Sequence, residues 1–89
     1  MKLNTNVEIS PNVLLQEVDD ETILLNIESE EYFSLNEIGT IFYELLQEHK
    51  NLEKILQELQ SYFDAPKEQL EKDLIAFVEA LEEKKLVKI

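Results

Sequence analysis

Eighty-nine residues, 44% of them apolar, are enough for one small domain with a modest core. Twenty acidic residues against eight lysines and no arginine give a formal net charge of −12, which repels nucleic-acid phosphates and anionic membrane surfaces. The absence of cysteine excludes disulfides, thiolate metal sites and cysteine nucleophiles.

The charge is unevenly spread. Residues 1–45 hold ten Asp or Glu and a single lysine, Lys2, whereas the remainder holds ten Asp or Glu and seven lysines. Solubility accounts for such acidity, and the functional alternative is electrostatic preference for a partner segment carrying basic residues. Met1 to Ser10 contains no apolar run of the secretory kind, and no stretch approaches the ~20 apolar residues of a membrane span. A cytoplasmic location, without membrane or nucleic acid as partner, is the expectation.

The first eleven residues end in Ser10-Pro11 and read as an extended or frayed lead-in to a domain spanning residues 12–89. Two runs rich in β-branched and aliphatic residues follow, Val13 to Val18 and Thr22 to Ile27, joined by Asp19-Asp20-Glu21. After Glu28-Ser29-Glu30 comes a third short run, Glu31 to Leu35. Three strands at this spacing predict an antiparallel meander.

The apolar period then changes from two to 3.6. Ile38, Ile41, Phe42, Leu45 and Leu46 make one helical face, begun either by Asn36 as cap or by a capping box from Ser34 to Glu37. Gly39 lies inside that helix at a cost of ~1 kcal/mol against alanine, which suggests close approach of helix and sheet. A second helix starts after Asn51 with Leu52, Ile55, Leu56 and Leu59 on its apolar face. A third starts after Asp64-Ala65-Pro66, with a stripe of Leu70, Leu74, Phe77, Val78 and Leu81. Lys84 and Lys85 complement its dipole, and Leu86 to Ile89 read as a terminal extended segment. The expected class is α+β, three antiparallel strands followed by three helices in the manner of a winged helix-turn-helix.

Reactive constellations are missing. The single histidine, His49, sits at a helix C-terminus, and no Ser–His–Asp set, Gly-rich phosphate loop or histidine cluster occurs. The carboxylates fall in turns and on polar helical faces, the pattern of solvated charge. Asp19-Asp20-Glu21 lacks the alternating ligands and the glycine of a calcium loop. The outer faces of the second and third helices are not net basic, which argues against a DNA-reading role. No catalysis, metal or cofactor is expected.

Leu14-Leu15, Thr22 to Ile27, then Tyr32-Phe33-Ser34-Leu35-Asn36-Glu37-Ile38-Gly39 with Leu45-Leu46 downstream resemble the PqqD family. Tyr62-Phe63-Asp64, Pro66, Glu68, Asp73-Leu74 and Phe77 look like the second half of the same pattern, so that the resemblance covers residues 12–87. That family includes the peptide chaperone of pyrroloquinoline quinone biosynthesis. It also includes the precursor-peptide recognition elements of ribosomally made, modified peptides such as lasso peptides. The chain departs from it by having Asp20 and Ser29-Glu30 in turns, and Lys84-Lys85 before the last strand, where members often have glycine. The resemblance implies a non-catalytic monomer that binds the leader of a precursor peptide and hands it to a modifying enzyme or leader peptidase. The leader would add beside the third strand, in a groove against the third helix.

On this reading the candidate site residues are Glu31, Tyr32, Phe33, Ser34 and Leu35 on the strand and Glu71, Lys72, Ile75, Val78 and Glu79 on the helix. Tyr32 and Ser34 point to one face and Glu31, Phe33 and Leu35 to the other, and the alternation alone does not assign either set to the groove. Ile75 lies off the main stripe, where either the groove or the terminal segment Leu86 to Ile89 would cover it. Alternative occupants of the same edge are a folded partner, which would make the chain an adaptor, and nucleic acid, which the charge disfavours.

Overall fold

The structure, a computed structural model, describes residues 2–19 and 21–89. The elements in chain order are β1 (Glu8–Ile9), β2 (Val13–Val18), β3 (Glu21–Asn26), β4 (Tyr32–Leu35), α1 (Glu37–Glu48), α2 (Leu52–Tyr62), α3 (Lys67–Glu83) and β5 (Val87–Lys88). Strands β2, β3 and β4 form the expected antiparallel meander in that order, with Leu15 opposite Leu24 and Leu24 opposite Phe33. The molecule is an α+β domain in which the helices cover one face of this sheet.

Period-two alternation sorts the sheet residues between its faces. Thr22, Leu24 and Asn26 of β3 and Leu35 of β4 are buried against the helices, while Tyr32 is 64% exposed on the opposite side. Leu46, Leu52, Ile55, Leu56, Leu59, Leu74, Val78 and Leu81 fill the core beneath.

Asn36 caps α1, its Oδ1 accepting from the Gly39 N–H at 2.7 Å, so the choice between cap and capping box goes to Asn36. A Cβ added at Gly39 would lie 3.3 Å from both Leu35 Cδ2 and Asn36 Oδ1, which is the close approach inferred from its presence in a helix. Asn51 caps α2 through the N–H groups of Glu53 and Lys54.

Two features depart from the sequence reading. The lead-in is docked onto the helices: Val7 is buried, and the carbonyls of Thr5 and Leu3 accept from the N–H groups of Leu52 and Glu53. Unpaired donors at the start of α2 find partners there. Strand β1 also pairs antiparallel with β5, Glu8 opposite Lys88 and Ile9 opposite Val87, giving a second sheet of two strands. The segment Leu86 to Ile89 is therefore extended because it has a strand partner, and Leu86 and Val87 are core residues.

Among the described residues three non-glycine residues adopt left-handed backbone: Asp19 (φ 57°), Glu30 (φ 64°) and Lys85 (φ 60°). Glu30 and Lys85 stand where the resembled family places glycine. The third such position, Asp20, lies outside the described residues.

Candidate functional site

Within the three-stranded sheet β4 has one neighbour, β3, so its other edge carries backbone groups without a ladder partner. Beside that edge runs one flank of α3. Phe77 packs edge-on against Phe33, ring centroids 6.3 Å apart, and against Phe42 at 5.4 Å. One end is closed by Lys84, whose Nζ lies 3.1 Å from Glu31 Oε2. Towards the other end a depression of about 590 Å³ opens among Glu21, Phe33, Leu35, Glu37, Gly39 and Phe77. Its floor is apolar and aromatic and its rim carries carboxylates.

The two contacts of Phe77 and Lys84 define which side of α3 faces β4. Successive helical residues turn by about 100°, so Phe77 and Lys84, seven apart, share a flank. Ile75 and Glu79, each two residues from Phe77, lie about 160° away; Lys72 and Glu71 lie about 140° and 120° away. The structure thus does not bring Glu71, Lys72, Ile75 or Glu79 to β4. Ile75 and Glu71 are half-buried, and Lys72 and Glu79 exposed, on the flank turned from the strand.

Val78 is 0% exposed and belongs to the core, whereas Leu35, 2% exposed, is a core residue that also forms part of the wall of the depression. Glu31 and Phe33 line the groove; Tyr32 is exposed on the outer face of the sheet, and Ser34, on the same face, borders the depression. The residues the sequence reading missed are Phe77, Lys84, Glu37 and Glu21. Phe77 had a signal: it is at the edge of its apolar stripe, about 60° from Leu74, where a helix turns from core to surface.

A second polar cluster ties the elements together. The Asn26 side chain is buried; its Oδ1 accepts from the N–H groups of Glu28 and Ser29, and its Nδ2 donates to the Lys85 carbonyl at 2.9 Å. The Ser10 hydroxyl donates to the same carbonyl at 3.0 Å. This fastens the β3–β4 turn to the end of α3 and so fixes the distance between strand and helix.

Among the described residues no group of three or more His, Asp or Glu is arranged to hold a metal ion. Among the same residues no helix is long and apolar enough to cross a membrane.

The sequence profile of the family described as coenzyme PQQ synthesis protein D (PqqD) matches residues 21–87. The chain belongs to the PqqD family. Among solved structures, this PqqD-family chain is similar to TbiB1 in complex with the TbiA(beta) leader peptide, at 32% identity and a TM-score of 0.83, over 91% of this chain and 94% of that one. It shares its fold with lasso peptide synthetase B1 complexed with the leader peptide, at 22% identity and a TM-score of 0.77, over 96% and 100% of the two chains. A comparison with curated proteins returns no match.

Proposed function

We propose that this chain binds the leader segment of a ribosomally made precursor peptide as an added strand along β4 and presents it to a modifying enzyme or leader peptidase. The observation that carries the proposal is the unpaired edge of β4 above the Phe33–Phe77 floor, in a chain 32% identical to a protein solved with a leader peptide. Residues 31–35 supply backbone and the side chains of Glu31 and Phe33; Phe77 and Lys84 complete the groove from α3. The winged helix-turn-helix likeness, a monomeric state and a cytoplasmic setting are parts of the same reading, in which the chain performs no catalysis and needs no cofactor.

Magnitudes say where affinity comes from. Roughly four backbone hydrogen bonds at ~0.5–1.5 kcal/mol each give only a few kcal/mol. Ordering a flexible peptide costs ~2–5 kcal/mol. The surplus has to come from burying an apolar leader side chain on Phe33 and Phe77, worth ~1.5–3 kcal/mol per residue. Selectivity follows from the same pocket.

The test is a calorimetric titration with the TbiA(beta) leader and with leaders of short open reading frames encoded beside this chain, duplex DNA serving as control. Sub-micromolar to micromolar binding of one leader, with none of DNA, is expected. Phe77→Ala weakens it at least tenfold, while Glu79→Lys changes it less than twofold. No binding of any leader, or equal losses from both variants, overturns the proposal.

A further inference from the structure

The lead-in connects parts of the molecule that the groove depends on. The carbonyls of Leu3 and Thr5 accept from Glu53 and Leu52 at the start of α2, and the Val7 N–H donates to the Lys50 carbonyl at 2.7 Å. Strand β1 then pairs with β5, beyond the end of α3. Ser10, which follows β1, is buried. Its N–H donates to the Leu86 carbonyl at 3.0 Å, and its hydroxyl to the Lys85 carbonyl, also at 3.0 Å. None of residues 2–10 lines the depression beside Phe33 and Phe77.

The Lys85 carbonyl nevertheless stands one residue from one wall of the groove and one side chain from the other. Lys84 precedes it and closes the groove against Glu31. Asn26 shares the carbonyl through Nδ2 and donates its own backbone N–H to the Glu31 carbonyl at 2.8 Å. Lys85 lies just past the cap of α3, where a carbonyl has no helical donor. Ser10 and Asn26 supply two donors, one from the lead-in and one from the sheet.

The separation held at this point matters to a bound strand. A strand added along β4 lies about 4.8 Å from it, and its inward side chains meet Phe77 across that gap. A binding site works when its walls are held to within about 0.5 Å of the productive geometry. A buried tie between separate segments sets such a distance.

We infer that Ser10 is a positioning residue for the groove: through the Lys85 carbonyl, the docked lead-in holds α3 at the separation from β4 that a peptide strand requires. The inference rests on the function proposed above. Undocking of the lead-in lowers the fraction of molecules competent to bind, and apparent affinity falls with that fraction. By reciprocity, a bound peptide strengthens docking of the lead-in by the same factor. Control of the groove thus resides in a segment that does not touch the peptide.

The experiment compares three variants of the full chain with wild type. Ser10→Ala removes the hydroxyl and Ser10→Thr keeps it; Ser10 borders a hollow of about 570 Å³, so the added methyl has room. Ile55→Val is a core change in α2 that leaves the tie intact. Calorimetric titration uses the TbiA(beta) leader, or the encoded leader that wild type binds more tightly, at a temperature where every variant is fully folded by circular dichroism. Ser10→Ala should weaken binding at least threefold, and Ser10→Thr and Ile55→Val less than twofold. In the free proteins, the NMR signals of the Phe77 ring should move in Ser10→Ala and not in Ser10→Thr. In wild type, saturating leader should slow hydrogen exchange at the Ser10 amide at least threefold. Unchanged affinity in Ser10→Ala, an equal loss in Ile55→Val, or a loss that Ser10→Thr does not restore overturns the inference and leaves peptide binding standing. If wild type binds no leader, the peptide-binding proposal falls and the Phe77 signals decide: a shift in Ser10→Ala that Ser10→Thr lacks keeps the hold of Ser10 on α3, and no such shift removes it.

Discussion

Lys85 shows what a single backbone conformation does here. Its φ of 60° is unfavourable for a residue with a Cβ, yet its carbonyl is the point on which Ser10 and Asn26 converge. Replacement by glycine keeps that carbonyl and removes the steric cost. Lys85→Gly should therefore stabilise the fold by about 0.5–1 kcal/mol in urea unfolding, once the larger entropy of unfolded glycine is subtracted. The sequence showed a departure at this position but not that the backbone keeps glycine's conformation all the same, because φ is imposed by the contacts around it. Asn26 was invisible for a related reason: a polar residue at a strand end is ordinary until the end of α3 closes over it. Tyr43 carries a pH signature. Burial raises its phenol above the ordinary value near 10, so the folded state holds the proton more tightly. That contribution is whole below pH 10 and is lost as pH rises from there through the folded-state value. Alkaline unfolding followed by circular dichroism should show this decline, and Tyr43→Phe should flatten it.

At the scale of elements the legible parts were those fixed locally. Asn36, Asn51 and Pro66 mark helix starts through their own side chains or ring, and Val13–Val18 is bounded as its run of aliphatic and β-branched residues indicates. The orientation of α3 was not legible. A stripe of Leu70, Leu74, Val78 and Leu81 states which side is core, but its two margins, marked by Phe77 and Ile75, are equivalent until the helix is laid against a particular strand. Handedness of packing is decided by the α1 and α2 residues underneath, Phe42 among them, which meets Phe77. The consequence is a three-way separation of variants. Leu74→Ala should cost ~2–5 kcal/mol in chemical denaturation. Phe77→Ala should lose less stability but also peptide affinity. Ile75→Ala should do neither to a comparable degree, and calorimetry on the same proteins checks the assignment.

For the molecule as a whole, twenty acids on eighty-nine residues make self-repulsion a global term. Three ion pairs, Lys84 with Glu31, Lys50 with Glu8 and His49 with Glu58, link described residues, and all are accessible to solvent, so local pairing offsets little of it. Raising sodium chloride from about 10 to 200 mM shortens the Debye length from ~30 to under 8 Å and should raise the melting temperature in scanning calorimetry. The composition announced this sensitivity; it was silent on the closure of β1 against β5, since strands of two residues have no periodicity to detect. That ribbon has a mechanical meaning. Because β1 and β5 run antiparallel, the chain leaves towards residue 7 and towards residue 89 from the same end of the pair. Tension drawn through those two exits loads the hydrogen bonds one after another, as a zipper is opened, and not together as in shear. The fold is thereby weak along one axis. A motor pulling on the C-terminal side would first peel away Lys88 and Val87, expose Leu86 and Val7, and so begin dismantling the core.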